Sequence, residues 1–311
     1  MSAPPVTRPF APHGRAPRLA VAAAGVTVLL WASAFVVIRV IGTDLGPGPM
    51  ALGRVAVAAL ALTPFVVRRR GLRLPRGRTL ALVVVYGVMW FAAYNVALNA
   101  AERSIDAGTA ALVVNVAPIL IAVGAAVLLK EGFSLPLLGG CVVALAGVAL
   151  MSAGSGSGSS SGGDGEPVGL LLALLAAVLY AASVLIQKGL LGRIDALTVT
   201  WFGCVVGTVV LLPFAPALVA EAGRAPGSAV LGTVYLGLFP TAVAFTTWAY
   251  ALTHVPAGRL GVIGYVVTVV AVLLSWALLD EVPTGLVLAG GALCLVGVAV
   301  SRLPGRRAHP G

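Results

Sequence analysis

Residues 107–131 read AGTAALVVNVAPILIAVGAAVLLKE, and residues 257–281 read AGRLGVIGYVVTVVAVLLSWALLDE. The two stretches are 150 residues apart and align without a gap, and the alignment continues as far as Ala149 and its counterpart Ala299. Composition alone does not readily place Glu131 and Glu281 in the same register of two apolar stretches. The chain therefore contains two copies of one structural unit.

A second echo, at an offset of 149, relates WASAFVVIR at residues 31–39 to YAASVLIQK at residues 180–188. Hydrophobic residues make up 59% of the 311-residue chain and charged residues only 10%, which is typical of a membrane protein. Apolar stretches of about 20 residues, enough to cross a bilayer, follow one another along nearly the whole length. We predict an all-α fold with ten transmembrane helices. Their approximate spans are 19–41, 47–67, 79–100, 106–129, 134–152, 168–190, 195–219, 228–251, 257–279 and 283–302.

A run of glycine and serine between the fifth and sixth spans marks a flexible linker between the two copies. The predicted organisation is a cytoplasmic tail (1–18), a first repeat with helices one to five (19–152), the linker (153–167), a second repeat with helices six to ten (168–302) and a second cytoplasmic tail (303–311).

Lysine and arginine residues in alternate loops set the orientation. Fifteen lie on one side: Arg8, Arg15, Arg18, Arg68, Arg69, Arg70, Arg73, Arg76, Arg78, Lys130, Arg193, Arg259, Arg302, Arg306 and Arg307. Only Arg103 and Arg224 lie on the other. We therefore predict a multi-pass protein of the plasma membrane with both termini in the cytoplasm. Because each repeat has an odd number of helices, the second repeat is inverted relative to the first.

The same distribution makes the net charge of +10 an orientation signal, and no nucleic-acid partner is predicted. The three cysteines lie in apolar segments without CxxC spacing or a neighbouring histidine, so the sequence predicts no metal site and no cofactor. Small residues in helices five and ten favour close helix contacts, either within the monomer or in a homodimer.

Several motifs occur in matching order in the two repeats. The first has WASAFVVIR at 31–39, Pro49 with Arg54, Tyr94 with Ala97-Leu98, and the stretch 107–131; the second has Tyr180-Ala-Ala-Ser183, Trp248-Ala-Tyr-Ala-Leu252 and 257–281. In this order the chain resembles the EamA-type transporters of the drug/metabolite transporter superfamily. The resemblance implies two five-helix EamA repeats and export of amino acids, related metabolites or toxic compounds. The sequence departs from this pattern at Thr268, which stands where Pro118 stands in the first repeat.

Polar side chains inside the spans are the candidates for a solute pathway, because polar groups in hydrocarbon usually face other helices or a water-filled cavity. The predicted substrate-binding residues are Trp31, Ser33, Arg54, Tyr94, Asn95, Asn115, Tyr180, Ser183, Trp248 and Tyr265. The alternative for each is a hydrogen bond that only assembles the helices. For Arg54, the alternatives are attraction of a substrate carboxylate and snorkelling to the nearer interface.

Four further residues are predicted to act in gating. Pro118 and Pro240 remove backbone hydrogen bonds within spans and are candidate hinges, although helix packing alone also accounts for them. Glu131 and Glu281 close helices four and nine, in a structural or a gating role. All ten carboxylates lie in loops or at helix ends, which argues against a buried carboxylate proton relay.

These observations predict a secondary transporter that moves a small organic metabolite through the lipid bilayer by alternating access, with export as the expected direction. The sequence lacks the GxxxxGK[ST] loop of an ATP-driven pump, and no enzymatic activity is predicted. One alternative is an integral-membrane enzyme acting on a lipid-linked substrate. Such an enzyme would need clustered acids or histidines, whereas those of this chain are scattered along the sequence. Another is a channel or a scaffold.

Overall fold

The computed structural model describes residues 15–42, 44–68, 75–101, 113–129, 134–154, 166–279, 282–301 and 303, and every regular element among them is helical. The first repeat contains α1 (Arg15–Ile41), α2 (Pro47–Val67), α3 (Arg78–Ala101), α4 (Ala117–Leu128) and α5 (Leu135–Gly154). The second contains α6 (Glu166–Leu190), α7 (Ala196–Ala222), α8 (Gly227–His254), α9a (Ala257–Gly261), α9b (Gly264–Leu279) and α10 (Gly285–Val300).

The all-helical prediction is confirmed for these residues, and each predicted span contains a helix. Within the described part of the chain, seven helical stretches are long and apolar enough to cross a membrane by length and composition. The apolar parts of α4, α5 and α10 are shorter, at Ala117–Leu128, Leu135–Met151 and Gly285–Val300. The structure thus supports seven spans on these criteria where the sequence predicts ten.

Two groups of contacts define the ends of the helix bundle. At one end, Arg193 donates a hydrogen bond to the Thr79 hydroxyl, which joins the starts of α7 and α3. At the other, the Gly46 amide donates to Glu221, which joins the start of α2 to the end of α7. We call these the Arg78 end and the Glu221 end. Odd-numbered helices start at the first and even-numbered helices at the second.

Helices α5 and α10 pack through glycines. A Cβ atom on Gly147 would lie 2.5 Å from the backbone nitrogen of Cys294, and one on Gly140 would lie 2.5 Å from the carbonyl oxygen of Gly297. The two backbones therefore touch, as small residues permit in membrane helices. Because Gly140 faces Gly297 while Gly147 faces the region of Gly290, the helices are antiparallel. The small faces of helices five and ten meet within one protomer.

The other helices pair across the repeats in a matching pattern. Helix α1 packs on α8 and α9b, and its counterpart α6 packs on α3 and α4. Helix α2 packs on its own counterpart α7, as α5 does on α10. Equivalent helices run antiparallel, which is the arrangement expected of inverted repeats.

Each repeat has one π-helical segment in its third helix. The segments are Gly87–Ala93 in α3 and Gly237–Val243 in α8, again 150 residues apart. A Cβ on the first glycine of the second segment would lie 2.7 Å from the carbonyl oxygen of Arg54. The corresponding distance in the first segment is 3.1 Å, to the carbonyl oxygen of Gly203. These glycines therefore let the second helix of the opposite repeat approach closely.

The fourth helix of each repeat is interrupted. Val113 and Val114 are helical, a turn follows, and α4 begins at Ala117. Pro118 thus occupies the first turn of a helix, where its missing N–H needs no partner. In the second repeat α9a ends at Gly261 and α9b begins at Gly264. Interrupted helices at matching positions are typical of transporter solute sites.

Candidate functional site

Aromatic side chains of both repeats meet where α1, α3, α6 and α8 adjoin. The ring centroids of Trp31 and Trp248 are 5.1 Å apart, and Phe245 lies 5.1 Å from Trp90. Trp90 in turn lies 5.6 Å from Tyr180. Such spacings suit edge-to-face and offset stacking. We call this set the aromatic cluster; it comprises Trp31, Tyr86, Trp90, Phe91, Tyr94, Tyr180, Phe245 and Trp248.

The structure brings together four of the predicted site residues in this cluster: Trp31, Tyr94, Tyr180 and Trp248. Sequence reasoning missed Tyr86, Trp90, Phe91 and Phe245. The spacing of three aromatic residues could have indicated part of the cluster. Tyr86, Trp90 and Tyr94 follow one another at intervals of four residues, which places them on one helix face. The cluster joins the two repeats through rings from both.

A hydrogen bond fixes the orientation of Trp31. Its indole N–H donates to the carbonyl oxygen of Pro240, at 3.2 Å. Pro240 lies inside the π segment of α8 and lacks a backbone donor. This bond ties α1 of the first repeat to the irregular segment of the second.

Arg54 is only partly exposed and lies about two turns into α2. Its Nε donates to the Thr241 hydroxyl at 3.2 Å, and that hydroxyl donates to the carbonyl oxygen of Leu236 at 2.8 Å. Tyr94 and Cys204 lie near the guanidinium. Among the described residues, no carboxylate forms an ion pair with Arg54. The hydrogen-bond partner that the structure describes for Arg54 is thus the neutral Thr241 hydroxyl.

The repeat symmetry provides an internal comparison for Arg54. The contacts of the two π segments match Arg54 to Gly203, and the offset of 150 matches Thr241 to Phe91. A Cβ on Gly203 would lie 2.5 Å from the Phe91 ring. At one of the two equivalent positions, the Arg54 guanidinium is hydrogen-bonded to the Thr241 hydroxyl. At the other, Gly203 packs against the Phe91 ring. The polar pair is a departure from the symmetry of the fold.

Three predicted residues make hydrogen bonds that either join two helices or satisfy backbone carbonyls of their own helix. The Asn95 amide donates to the carbonyl oxygens of Trp90 and Phe91, both at 3.1 Å, within the π segment of its own helix. Asn115 donates to the Thr268 hydroxyl at 3.4 Å, which links the interrupted helices of the two repeats. The Ser33 and Tyr235 hydroxyls are 2.8 Å apart and join α1 to α8. These geometries match the assembly alternative.

Ser183 and Tyr265 are fully buried, and neither hydroxyl has a hydrogen-bond partner among the described residues. Tyr265 does not join the aromatic cluster. It packs with Cys141, Val262 and Cys294 between α5, α9b and α10, and the Cys294 thiol lies 3.6 Å from its carbonyl oxygen. Glu131 and Glu281 lie outside the described residues.

At the Arg78 end, a lysine of α6 links this helix to the C-terminus of α8. The Lys188 ammonium donates to the carbonyl oxygens of Leu252 and Val255, which close the C-terminus of α8. Cations at a helix C-terminus satisfy its last carbonyls and oppose its dipole. Lys188 itself lies in the last turn of α6. No group of three or more His, Cys, Asp or Glu side chains in the described ranges is placed to hold a metal ion.

Comparison with known proteins identifies relatives over nearly the whole chain. Residues 18–153 and 167–303 each match the EamA-like transporter family. A "Probable terminal-alkyne amino-acid exporter" of Streptantibioticus cattleyicolor is 36% identical over 283 residues, covering 90% of this chain and 93% of that protein. An "Uncharacterized transporter YdfC" of Bacillus subtilis is 34% identical over 277 residues, covering 88% of each.

A solved crystal structure has a similar fold. Its TM-score is 0.77 at 22% sequence identity, and the match covers 94% of this chain and 99% of that one. At this identity the likeness concerns the fold alone. The family match confirms the duplicated EamA unit that the 150-residue offset predicts.

Proposed function

We propose, from the premise that this chain belongs to the EamA-like transporter family, that it is a secondary transporter exporting a small amino-acid-like metabolite by alternating access. The name of the Streptantibioticus relative supports an amino acid as the cargo and export as the direction. Interrupted fourth helices and antiparallel equivalent helices are the features on which inverted-repeat transporters rely.

The observation that carries this proposal is the environment of Arg54. A cation inside a membrane protein is costly unless it meets an anion or water. Here the described partner is the neutral Thr241 hydroxyl, and the related position in the other repeat has no charge. We infer that the guanidinium binds the carboxylate of the solute, for which its planar donor array is well suited. The neighbouring aromatic cluster provides apolar surface for the solute's side chain.

The membrane arrangement follows the charge distribution. We propose that the Arg78 end faces the cytoplasm, because Arg18, Arg68, Arg76, Arg193 and Arg259 also lie there. All ten helices then cross the plasma membrane with both termini cytoplasmic, in the repeats 19–152 and 168–302 joined by the linker 153–167. A homodimer through helices five and ten would use their outward faces, where Val142 and Val296 are exposed, because their glycine faces meet each other.

The test uses purified protein in proteoliposomes loaded with L-propargylglycine, an amino acid with a terminal alkyne, and measures its efflux. Arg54→Met removes a charged hydrogen-bonding group, so we expect a loss of at least roughly tenfold in transport efficiency. Arg54→Lys keeps the charge but loses the planar donor array, and we expect an intermediate loss. Arg193→Met, which removes an exposed arginine at the other end of the bundle, is the matched control and should transport normally.

A second solute separates carboxylate binding from general damage. But-3-yn-1-amine has the same alkyne and amine but no carboxylate. Excess amine should not compete with propargylglycine in the wild-type protein. Equal competition by the amine, or normal efflux through a folded Arg54→Met variant, would refute a role for Arg54 in carboxylate binding.

A further inference from the structure

Besides the Tyr265 hydroxyl, three polar atoms in the half of the bundle nearer the Arg78 end are buried without hydrogen-bond partners in the described part of the chain. They are the Ser183 hydroxyl, the Gln187 carbonyl oxygen and the Trp248 indole nitrogen, on side chains that are at most 1% exposed. Buried polar groups in folded proteins are nearly always paired, and exceptions call for an explanation. Most of the predicted polar residues nearer the Glu221 end, by contrast, are partly exposed and hydrogen-bonded.

Two of these groups, on Ser183 and Trp248, lie at one level of the bundle. Helices α6 and α8 both run from the Glu221 end, and Lys188 of α6 bonds to the Leu252 carbonyl of α8. One turn back along each helix are Ser183 and Trp248. A further turn back, Tyr180 and Phe245 are joined through the Trp90 ring. Ser183 and Trp248 therefore lie between two levels at which α6 and α8 are held together.

Gln187 lies one turn nearer the Arg78 end of α6 than Ser183 and reaches α3. Its amide nitrogen donates to the Tyr86 hydroxyl at 2.8 Å, which leaves its carbonyl oxygen unpaired. Ser183 and Gln187 are four residues apart and share a face of α6. We call Tyr86, Ser183, Gln187 and Trp248 the inner polar layer. Tyr86 and Trp248 also belong to the aromatic cluster, and Gln187 precedes Lys188 in the chain, so the layer connects the aromatic cluster to the Lys188 contacts at the Arg78 end.

We propose that the inner polar layer is a second solute site, which opens to the cytoplasm when the Arg78 end opens and which binds the head group of an α-amino acid. This inference rests on the proposed transport function. The indole nitrogen only donates, the amide oxygen only accepts, and the serine hydroxyl does both. Trp248 and Ser183 suit a carboxylate, and Gln187 suits an ammonium group. All four side chains of the layer are neutral, which matches a zwitterion without net charge.

The first test compares two fully buried hydroxyls. Ser183→Ala removes an unpaired hydroxyl, so its melting temperature should equal or exceed the wild-type value. Thr200→Val removes a hydroxyl that donates to the Ala196 carbonyl at 2.9 Å, so its melting temperature should fall. Propargylglycine efflux should show the opposite ranking, with a loss of roughly tenfold for Ser183→Ala and normal rates for folded Thr200→Val.

Normal efflux through Ser183→Ala would overturn the proposal, as would a melting temperature as low as that of Thr200→Val. Trp248→Phe provides a second variant, because it keeps an aromatic ring and removes the unpaired N–H. Its efflux per folded molecule should also fall, whereas Trp201→Phe removes an indole N–H that donates to the Thr63 hydroxyl and should leave efflux unchanged. Equal efflux through the two tryptophan variants would contradict the proposal.

A labelling experiment tests the layer without any knowledge of the cargo. In Ser183→Cys, a membrane-impermeant methanethiosulfonate should modify residue 183 only from the cytoplasmic face, with the wild-type protein and its three buried cysteines as the blank. No modification from either face, or modification from the external face alone, would overturn the second site. Absence of wild-type propargylglycine efflux would instead count against the proposed function, so the two failures are distinguishable.

Discussion

Replacement of Gly140 by alanine tests the contact between α5 and α10. The new Cβ would lie 2.5 Å from both the Gly297 carbonyl oxygen and the Ser301 backbone nitrogen. Ordinary contacts of a Cβ begin at about 3.4 Å. The helices must therefore separate locally by about 0.9 Å, the difference between these two distances. A gap of that size forfeits roughly a quarter to a half of the dispersion energy of each neighbouring contact.

The matched control is Gly139→Ala. A Cβ on Gly139 meets no atom within 4 Å, and the residue lies on the same helix. Both variants gain the higher helix propensity of alanine, about 1 kcal/mol in soluble hosts, so that gain cancels in their comparison. Overpacking of a tight contact typically costs about 1–3 kcal/mol. We expect Gly140→Ala to be less stable than Gly139→Ala by that amount.

The assay is thermal unfolding of each purified variant in the same detergent, followed by tryptophan fluorescence and by loss of monodisperse protein. Gly140→Ala should unfold at a clearly lower temperature than Gly139→Ala, which should match or exceed the wild type. Equal melting temperatures for the two variants would refute a backbone contact between α5 and α10 within the protomer.

Three further predictions concern the ends and the centre of the bundle. Glu221→Ala removes the carboxylate that accepts from the Gly46 amide at 2.7 Å and should cost about 1 kcal/mol of unfolding free energy, whereas Glu221→Gln keeps an acceptor and should cost less. Lys188→Met leaves the carbonyls at the end of α8 without their cationic donor and should cost about 1.5–3 kcal/mol, seen as faster hydrogen exchange near Leu252; unchanged exchange would contradict this. Gly237→Ala places a Cβ 2.7 Å from the Arg54 carbonyl and should lower propargylglycine efflux about tenfold, whereas Gly227→Ala, with no atom within 4 Å, should transport normally.

The duplication and the helical fold were predictable because they depend on the length of each apolar stretch and on the 150-residue offset, both of which can be read directly from the sequence. The π segments were not predictable, because the sequence around them is apolar on nearly every helix face. A change in the number of residues per turn leaves no trace in such a pattern. Gly87 and Gly237 at matching positions are the local sign of these segments, and their meaning depends on which helix approaches them. Such an approach is a property of tertiary packing.

The candidate site was predictable in its residue types more than in its arrangement. The sequence indicated that Arg54 is a charge within a span, but its partner Thr241 is 187 residues away. Asn95 illustrates the opposite case, because its amide bonds to the π segment of its own helix. Spacing along one helix identifies a shared face, whereas the π segment that receives this amide was not foreseen.

The crossing of α2 and α7 has an electrical consequence. These helices are equivalent and in contact, and a Cβ on Gly207 would lie 3.3 Å from Val55, so the pseudo-two-fold axis passes close to Arg54. Rotation about an axis barely displaces what lies on it. In the proposed alternating-access cycle the guanidinium should keep its depth, and a membrane potential, which acts with about 2.3 kcal/mol per charge per 100 mV, should do little work on it. Arg54 itself should therefore add no voltage dependence to the efflux of a zwitterion.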